Sequence, residues 1–250
     1  MDTNINWMEV KKRVVFRIDN YEKTADYLRK NDVAHERMGD LVKIYGFDLT
    51  GVKVPGMANG AFAVGVLTNS VVKQMGMSMD EVSSAAMENM PRIRPLKITT
   101  IVQQLREMNG IVDDPAGFVM EEPPVLVVTN TAAFQGAASV FYPGVQEELK
   151  ARLGGDFYIL PSSIHEVLAV KKDENTLEDL RMMVSTINEA EVTPQDRLSD
   201  NIYELSEGRL KIAQTEKEKN FAKTNMDAVK NIANQRRSAE RSGRTNGNLR

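Results

Sequence analysis

The sequence predicts an α+β fold: a mixed or antiparallel sheet with helices packed on one face, arranged as two sub-domains and followed by a disordered basic C-terminal tail. Three observations carry this. Apolar residues make up 42% of the 250, enough to bury one large core or two small ones. Strand-like segments of the second half fall in adjacent pairs rather than alternating singly with helices, which favours antiparallel pairing over a doubly wound parallel sheet. A stretch rich in Asp, Glu and Pro separates two halves of different pattern, and from about Gln214 the chain becomes polar. The expected organisation is an N-terminal sub-domain over 1–112, an acidic joint over 113–124, a C-terminal sub-domain over 125–213 and a tail over 214–250, helical at first and disordered after about Ala239.

In the first half, Val14, Val15, Phe16 and Ile18 predict a strand. Residues 21–30 read as a helix capped by Asn20. Residues 41–49 alternate well enough for a second strand. A Gly- and Pro-bearing connection ends in Asn59-Gly60, a strong turn signal, and residues 61–67 make a third strand. Asn69 opens a short helix through Gln74 that Gly76 closes. Ser78 and Glu81 form a capping box, starting a helix expected to run to about Met90 and stop at Pro91. Thr99 or Thr100 caps a further helix over 101–108.

Beyond the joint, residues 125–128 and 137–142 read as buried strands. Pro143-Gly144 leads into a helix over 145–153, closed by Gly154-Gly155. Residues 157–160 and 166–170 are strands either side of a polar turn. Residues 176–189 carry Leu177, Leu180, Met183, Val184 and Ile187 at helical spacing. Residues 201–205 and 209–212 close the body as a hairpin around Glu207-Gly208. No repeat of fixed period is evident.

Composition removes several chemistries. Without cysteine, disulfides, thiolate nucleophiles and zinc–thiolate sites are excluded. His35 and His165 are the two histidines, so a three-histidine metal site is excluded too. No run has the spacing of a calcium loop. No metal and no cofactor are expected. Gly51, Gly56, Gly60 and Gly65 lack the spacing of a phosphate or dinucleotide loop and read as a connection between strands. Asp113-Asp114 and Glu121-Glu122 flank prolines in the joint, where solvated charge explains them. The 14 methionines read as adaptable core filler. No secretory signal and no membrane-length apolar run is seen, so a soluble, cytoplasmic protein without membrane contact is expected.

Charge is uneven. Seven basic and two acidic residues follow position 222, leaving the tail at +5 and residues 1–222 at −8. The acidic body argues against a nucleic-acid face on the folded part. Arg236, Arg237, Arg241 and Arg244 of the tail are the candidates for a weak, salt-sensitive nucleic-acid contact. No aromatic residue follows Phe221 to stack on bases.

The polar turn Pro161-Ser162-Ser163-Ile164-His165-Glu166 gathers two hydroxyls, an imidazole and a carboxylate. A nucleophilic centre would use Ser162 or Ser163 with His165 as base and Glu166 or Asp200 as the orienting acid. The Gly-x-Ser-x-Gly elbow that would mark it is absent. A zinc-protease reading fails because Ala169 stands where the second histidine belongs. The competing role is a tight turn in which the serines and His165 bond to local backbone.

Val127-Val-Thr-Asn130, Gly136-Ala-Ala138, Tyr142-Pro-Gly-Val145, Leu198-Ser-Asp200 and above all Leu160-Pro-Ser-Ser-Ile-His-Glu-Val167 resemble an uncharacterised bacterial family, the domain of unknown function 5688. Val14-Val-Phe-Arg17 and Met79-Asp-Glu81 with Ala86-Met-Glu-Asn89-Met-Pro91 fit it as well. The resemblance spans roughly residues 10–206 and implies no activity. The function expected is that of a non-enzymatic interaction or regulatory protein of a bacterial cell or mobile element, with a protein partner. The alternative is a Ser/His/acid hydrolase centred on Ser162 to Glu166.

Overall fold

β-Branched and aromatic residues at 14–18 favour a pleated strand, and β1 (Val14–Asn20) pairs antiparallel with β3 (Leu41–Asp48) over seven residue pairs, from Val14 opposite Phe47 to Asn20 opposite Leu41. The computed structural model describes residues 6–50, 64–108, 125–161, 163–172, 177–215 and 217–221. They fall in two units, residues 1–212 and residues 213–250. In the first, a short helix α1 (Trp7–Lys11) precedes β1, and α2 (Tyr21–Lys30) follows it. The Asn20 side chain accepts the Lys23 amide proton, capping α2 as expected. The far edge of β3 is shared: β2 (His35–Met38) pairs with its first half and β4 (Val64–Val66) with its second. Residues 61–63 of the strand expected there lie outside the described residues.

Helices α3 (Asn69–Gln74) and α4 (Met79–Ile93) come next. Asn69 opens α3 and Gln74 ends it, as expected, and the Thr68 side chain caps it by accepting from the Val71 amide. The capping box of α4 is formed, Ser78 Oγ accepting from the Glu81 amide while the Glu81 carboxylate accepts from the Ser78 amide. The expected stop at Pro91 is corrected: α4 continues to Ile93 with Pro91 inside its last turn. Proline forfeits one backbone bond there, and Asn89 ties the turn to the carbonyl oxygens of Lys11 and Val14.

The second sheet has six strands in the order β10-β9-β7-β8-β6-β5: β5 (Leu96–Thr100), β6 (Leu126–Asn130), β7 (Phe157–Leu160), β8 (Val167–Lys171), β9 (Tyr203–Ser206) and β10 (Arg209–Ile212). Every pairing in both sheets is antiparallel, so the fold is α+β. Three helices complete the unit: α5 (Ile101–Met108), α6 (Val145–Leu153) and α7 (Leu177–Glu191). Thr100 and Gln103 cap each other at the start of α5. Glu207 and Gly208, with φ of 51° and 68°, supply the left-handed pair that a tight hairpin between β9 and β10 requires.

The joint over 113–124 lies outside the described residues. β5 before it and β6 after it are paired neighbours, Leu96 opposite Asn130 through Thr100 opposite Leu126. One core cluster takes Phe16, Tyr45 and Met90 from the first half and Val140, Ile159 and Tyr203 from the second. Phe16 lies 6.1 Å from the Tyr45 ring and 6.0 Å, edge to face, from that of Phe141, spacings that favour aromatic pairs.

The strand expected over 137–142 is corrected to a 3-10 helix, Gly136–Phe141, with all six residues buried. Two left-handed residues just before it, Ala133 and Gln135, turn the chain sharply, and Ala137 donates to the Ile164 carbonyl instead of entering a strand ladder. In the second unit, residues 217–221 are helical, with Thr215 and Glu218 capping each other. Arg236, Arg237, Arg241 and Arg244 lie outside the described residues.

Candidate functional site

The turn between β7 and β8 is held from every side. Ser163 forms a β-bridge with Arg197, and its Oγ accepts the amide proton of His165 at 3.1 Å. The His165 carbonyl accepts from Thr129 Oγ1 at 2.8 Å, and the Ile164 carbonyl from the Ala137 amide at 3.2 Å. The imidazole is equally committed. Nδ1 accepts the Gln135 amide proton at 3.2 Å, which leaves the ring proton on Nε2, 3.5 Å from Asp196 Oδ1. The Phe134 ring lies 5.6 Å away, centroid to centroid.

A serine nucleophile needs its hydroxyl on a ring nitrogen of the base. Among the described residues no hydroxyl hydrogen-bonds the His165 ring, whose nitrogens face the Gln135 amide and Asp196. Ser163 meets it through the backbone, and Ser162 lies outside the described residues. The remaining candidates diverge. Glu166 accepts from Gln104 Nε2 of α5 at 2.8 Å. Asp200 accepts from Asn188 Nδ2 of α7 at 2.7 Å, while the acid facing His165 is Asp196. Asp196, Gln135 and Gly136 are not among the site candidates of the sequence. The last left a signal in Gly136-Ala-Ala138, because a Cβ on Gly136 would lie 2.2 Å from Thr129 Oγ1, 2.6 Å from the His165 oxygen and 2.8 Å from the Asn130 nitrogen.

A second polar cluster clasps the two sheets together. Asp40, in the turn between β2 and β3, accepts from Ser199 Oγ at 2.6 Å, from Asn201 Nδ2 at 3.0 Å and from the Tyr203 hydroxyl. Partial burial opposes its charge, yet these three bonds hold its carboxyl below the usual range. Burial and then Asp40 itself push the Tyr203 phenol far up, so it stays a neutral donor. Lys23 reaches the carbonyl oxygens of Pro194 and Arg197, and Asn20 that of Leu198.

Helix α7 has two faces. Leu177, Leu180, Val184 and Asn188 are buried, with Asn188 also donating to the Ser199 carbonyl. On the other face Met182, Met183 and Ile187 are exposed, at 71, 42 and 41%. With Asp179 and Thr186 they line a shallow groove of about 350 Å³. The Met183 and Ile187 of the expected apolar stripe thus lie outside the core.

Among the described residues no group of three or more His, Asp or Glu side chains is placed to hold a metal ion, and no helix is long and apolar enough to cross a membrane. No curated protein and no solved structure matches the chain. A family model matches residues 1–207, a span that holds the turn at His165, the Asp40 clasp and α7 alike, and the chain therefore belongs to the family of unknown function DUF5688.

Proposed function

We propose that this is a non-enzymatic interaction protein of the bacterial cytoplasm that docks a basic amphipathic helix of a partner on the outer face of α7. The observation that carries the reading is the exposure of Met182, Met183 and Ile187 on one helix. Residues three and four apart share a helix face, so Asp179, Met183, Ile187 and Glu191 form one ridge with Met182 and Thr186 beside it. The ridge is apolar in the middle and acidic at both ends, and exposed Glu178 and Glu189 add to that charge. Methionine adapts to varied apolar partners, and the acidic ends select lysine and arginine at the partner's rim. The hydrolase alternative at Ser162, Ser163, His165 and Glu166 has less support, since both ring nitrogens of His165 are engaged by Gln135 and Asp196.

The test is a calorimetric titration of the full chain with a helical Leu/Lys model peptide. Saturable binding is expected, weakened about tenfold or more by Met182→Glu, Met183→Glu and Ile187→Glu together, the loss typical of central apolar contacts. Equal binding by wild type and triple variant overturns the proposal. So does absence of binding by the wild type, or self-association of the wild type that the triple variant abolishes, which would assign the face to a second copy.

A further inference from the structure

A cleft of about 710 Å³ is lined by residues 35–39 of β2 and its turn and by residues 207–211 of the last hairpin. It shares no residue with the His165 turn or the face of α7. β2 and β10 are each the end strand of a sheet, so two strand edges border one cleft. On β10 the two-residue turn makes Ser206 and Arg209 a hydrogen-bonded pair. The bonding then alternates: Lys211 also bonds to β9, while Leu210 and Ile212 turn their N–H and C=O groups away from it. Among the described residues no backbone group takes up these outward bonds. An edge left open in this way is a template for another strand. The side chains of β10 alternate too. Leu210 belongs to the core, and Ile212 on the same face is 40% exposed. Arg209 and Lys211 stand exposed on the other face. Lys43 of the cleft faces Glu36, and Lys172 holds Glu204 of β9, which leaves Arg209 and Lys211 without an ion pair among the described residues. Glu207 and Asp80 also line the cleft, but they lie in the turn and on α4 and pair with neither.

We propose that β10 is a docking edge for an extended partner peptide of alternating acidic and apolar residues, which adds to the sheet as a further antiparallel strand along the cleft. The peptide's apolar residues lie opposite Leu210 and Ile212. They exchange main-chain hydrogen bonds with them and cover the exposed part of Ile212. Its acids fall between, opposite Arg209 and Lys211, where opposite charges across a strand pair stabilise it. Main-chain bonding supplies the affinity and the alternate side chains the selectivity. A second copy of this chain is a poor occupant. Two-fold pairing of two β10 edges centred on Leu210 sets Arg209 opposite Lys211 of the second copy. Centred on Lys211, it sets the two Lys211 side chains face to face, and like charges so placed repel.

The experiment adds the full chain to a labelled short peptide of alternating glutamate and valine and follows fluorescence anisotropy. Saturable binding is expected. N-methylation of the valines, whose amides face β10, should weaken it about tenfold or more, while N-methylation of the glutamates, whose amides face away, should leave it within about twofold. Ile212→Pro removes an outward donor and spares the ladder to β9, so it should keep the wild-type melting temperature and lose binding to a similar degree. Arg209→Glu with Lys211→Glu should reverse the preference toward a peptide of alternating lysine and valine. No binding by the wild type overturns the proposal. Equal binding of the two methylated peptides overturns it as well, and that comparison uses only the wild-type chain. Self-association of the wild type that Ile212→Pro abolishes also overturns it, assigning the edge to a second copy.

Discussion

Gly136→Ala is the sharpest perturbation of the His165 turn. An added methyl would meet Thr129 Oγ1, the His165 oxygen and the Asn130 nitrogen at 2.2, 2.6 and 2.8 Å. Two of the three are backbone atoms fixed in β6 and in the turn, so the neighbours cannot rotate away. Gly136 has no positive φ, so the whole penalty comes from space. Overpacking of this kind costs about 1–3 kcal/mol. The methyl also displaces the Thr129 hydroxyl from the His165 carbonyl, a bond whose loss adds about 1 kcal/mol. The sum, about 2–4 kcal/mol, lowers the melting temperature of a unit this size by about 10 °C. Urea denaturation followed by circular dichroism should show the midpoint falling with little change in slope. A variant within a degree of wild type would refute the claim that the 3-10 helix and the turn are locked together through Gly136.

Four further outcomes are expected. Ser163→Ala should cost about 1 kcal/mol by freeing the His165 amide, seen as a lower urea midpoint; an unchanged midpoint would deny Ser163 its structural role. Asp40→Asn should cost about 2 kcal/mol at pH 7, the scale of hydrogen bonds to a charged group. Because the Asp40 pKa is lowered on folding, that stability is present above the unfolded value near 4 and lost as pH falls through the lower folded value, so the gap between wild type and variant should close below about pH 4. A fragment beginning at Val125 lacks β5 and the Phe16 and Tyr45 side of the core and should show no cooperative urea transition; a cooperative one would support independent sub-domains either side of 113–124. If the tail arginines Arg236, Arg237, Arg241 and Arg244 contact nucleic acid, binding by the full chain should fall steeply with salt, and salt-independent binding would exclude an electrostatic arm.

Local chemistry was legible wherever a side chain settles its own neighbourhood. Asn20 announces α2, Ser78 with Glu81 announces α4, and Glu207-Gly208 announces the last hairpin, because each satisfies backbone groups within three residues. Features decided by distant partners were not. Leu96–Thr100 becomes a strand only by lying beside β6, and Gly136–Phe141 has the apolar look of a strand but packs beneath a turn thirty residues on. For the turn, sequence placed Ser163 and His165 together correctly, yet which atom of each meets the other depends on Gln135, Asp196 and Thr129, none of which is near them in the chain.

The central claim, that function resides on the outer face of α7, is tested most directly by methionine oxidation footprinting. Met182 and Met8 are about equally exposed, at 71 and 70%, and Met8 precedes β1, far from α7 in sequence. With hydrogen peroxide alone, both should oxidise quickly. With the basic amphipathic peptide at saturation, Met182 and Met183 should be protected several-fold while Met8 oxidises at its free rate. Protection of Met8 to the same degree, or no protection of Met182 and Met183, would contradict the account.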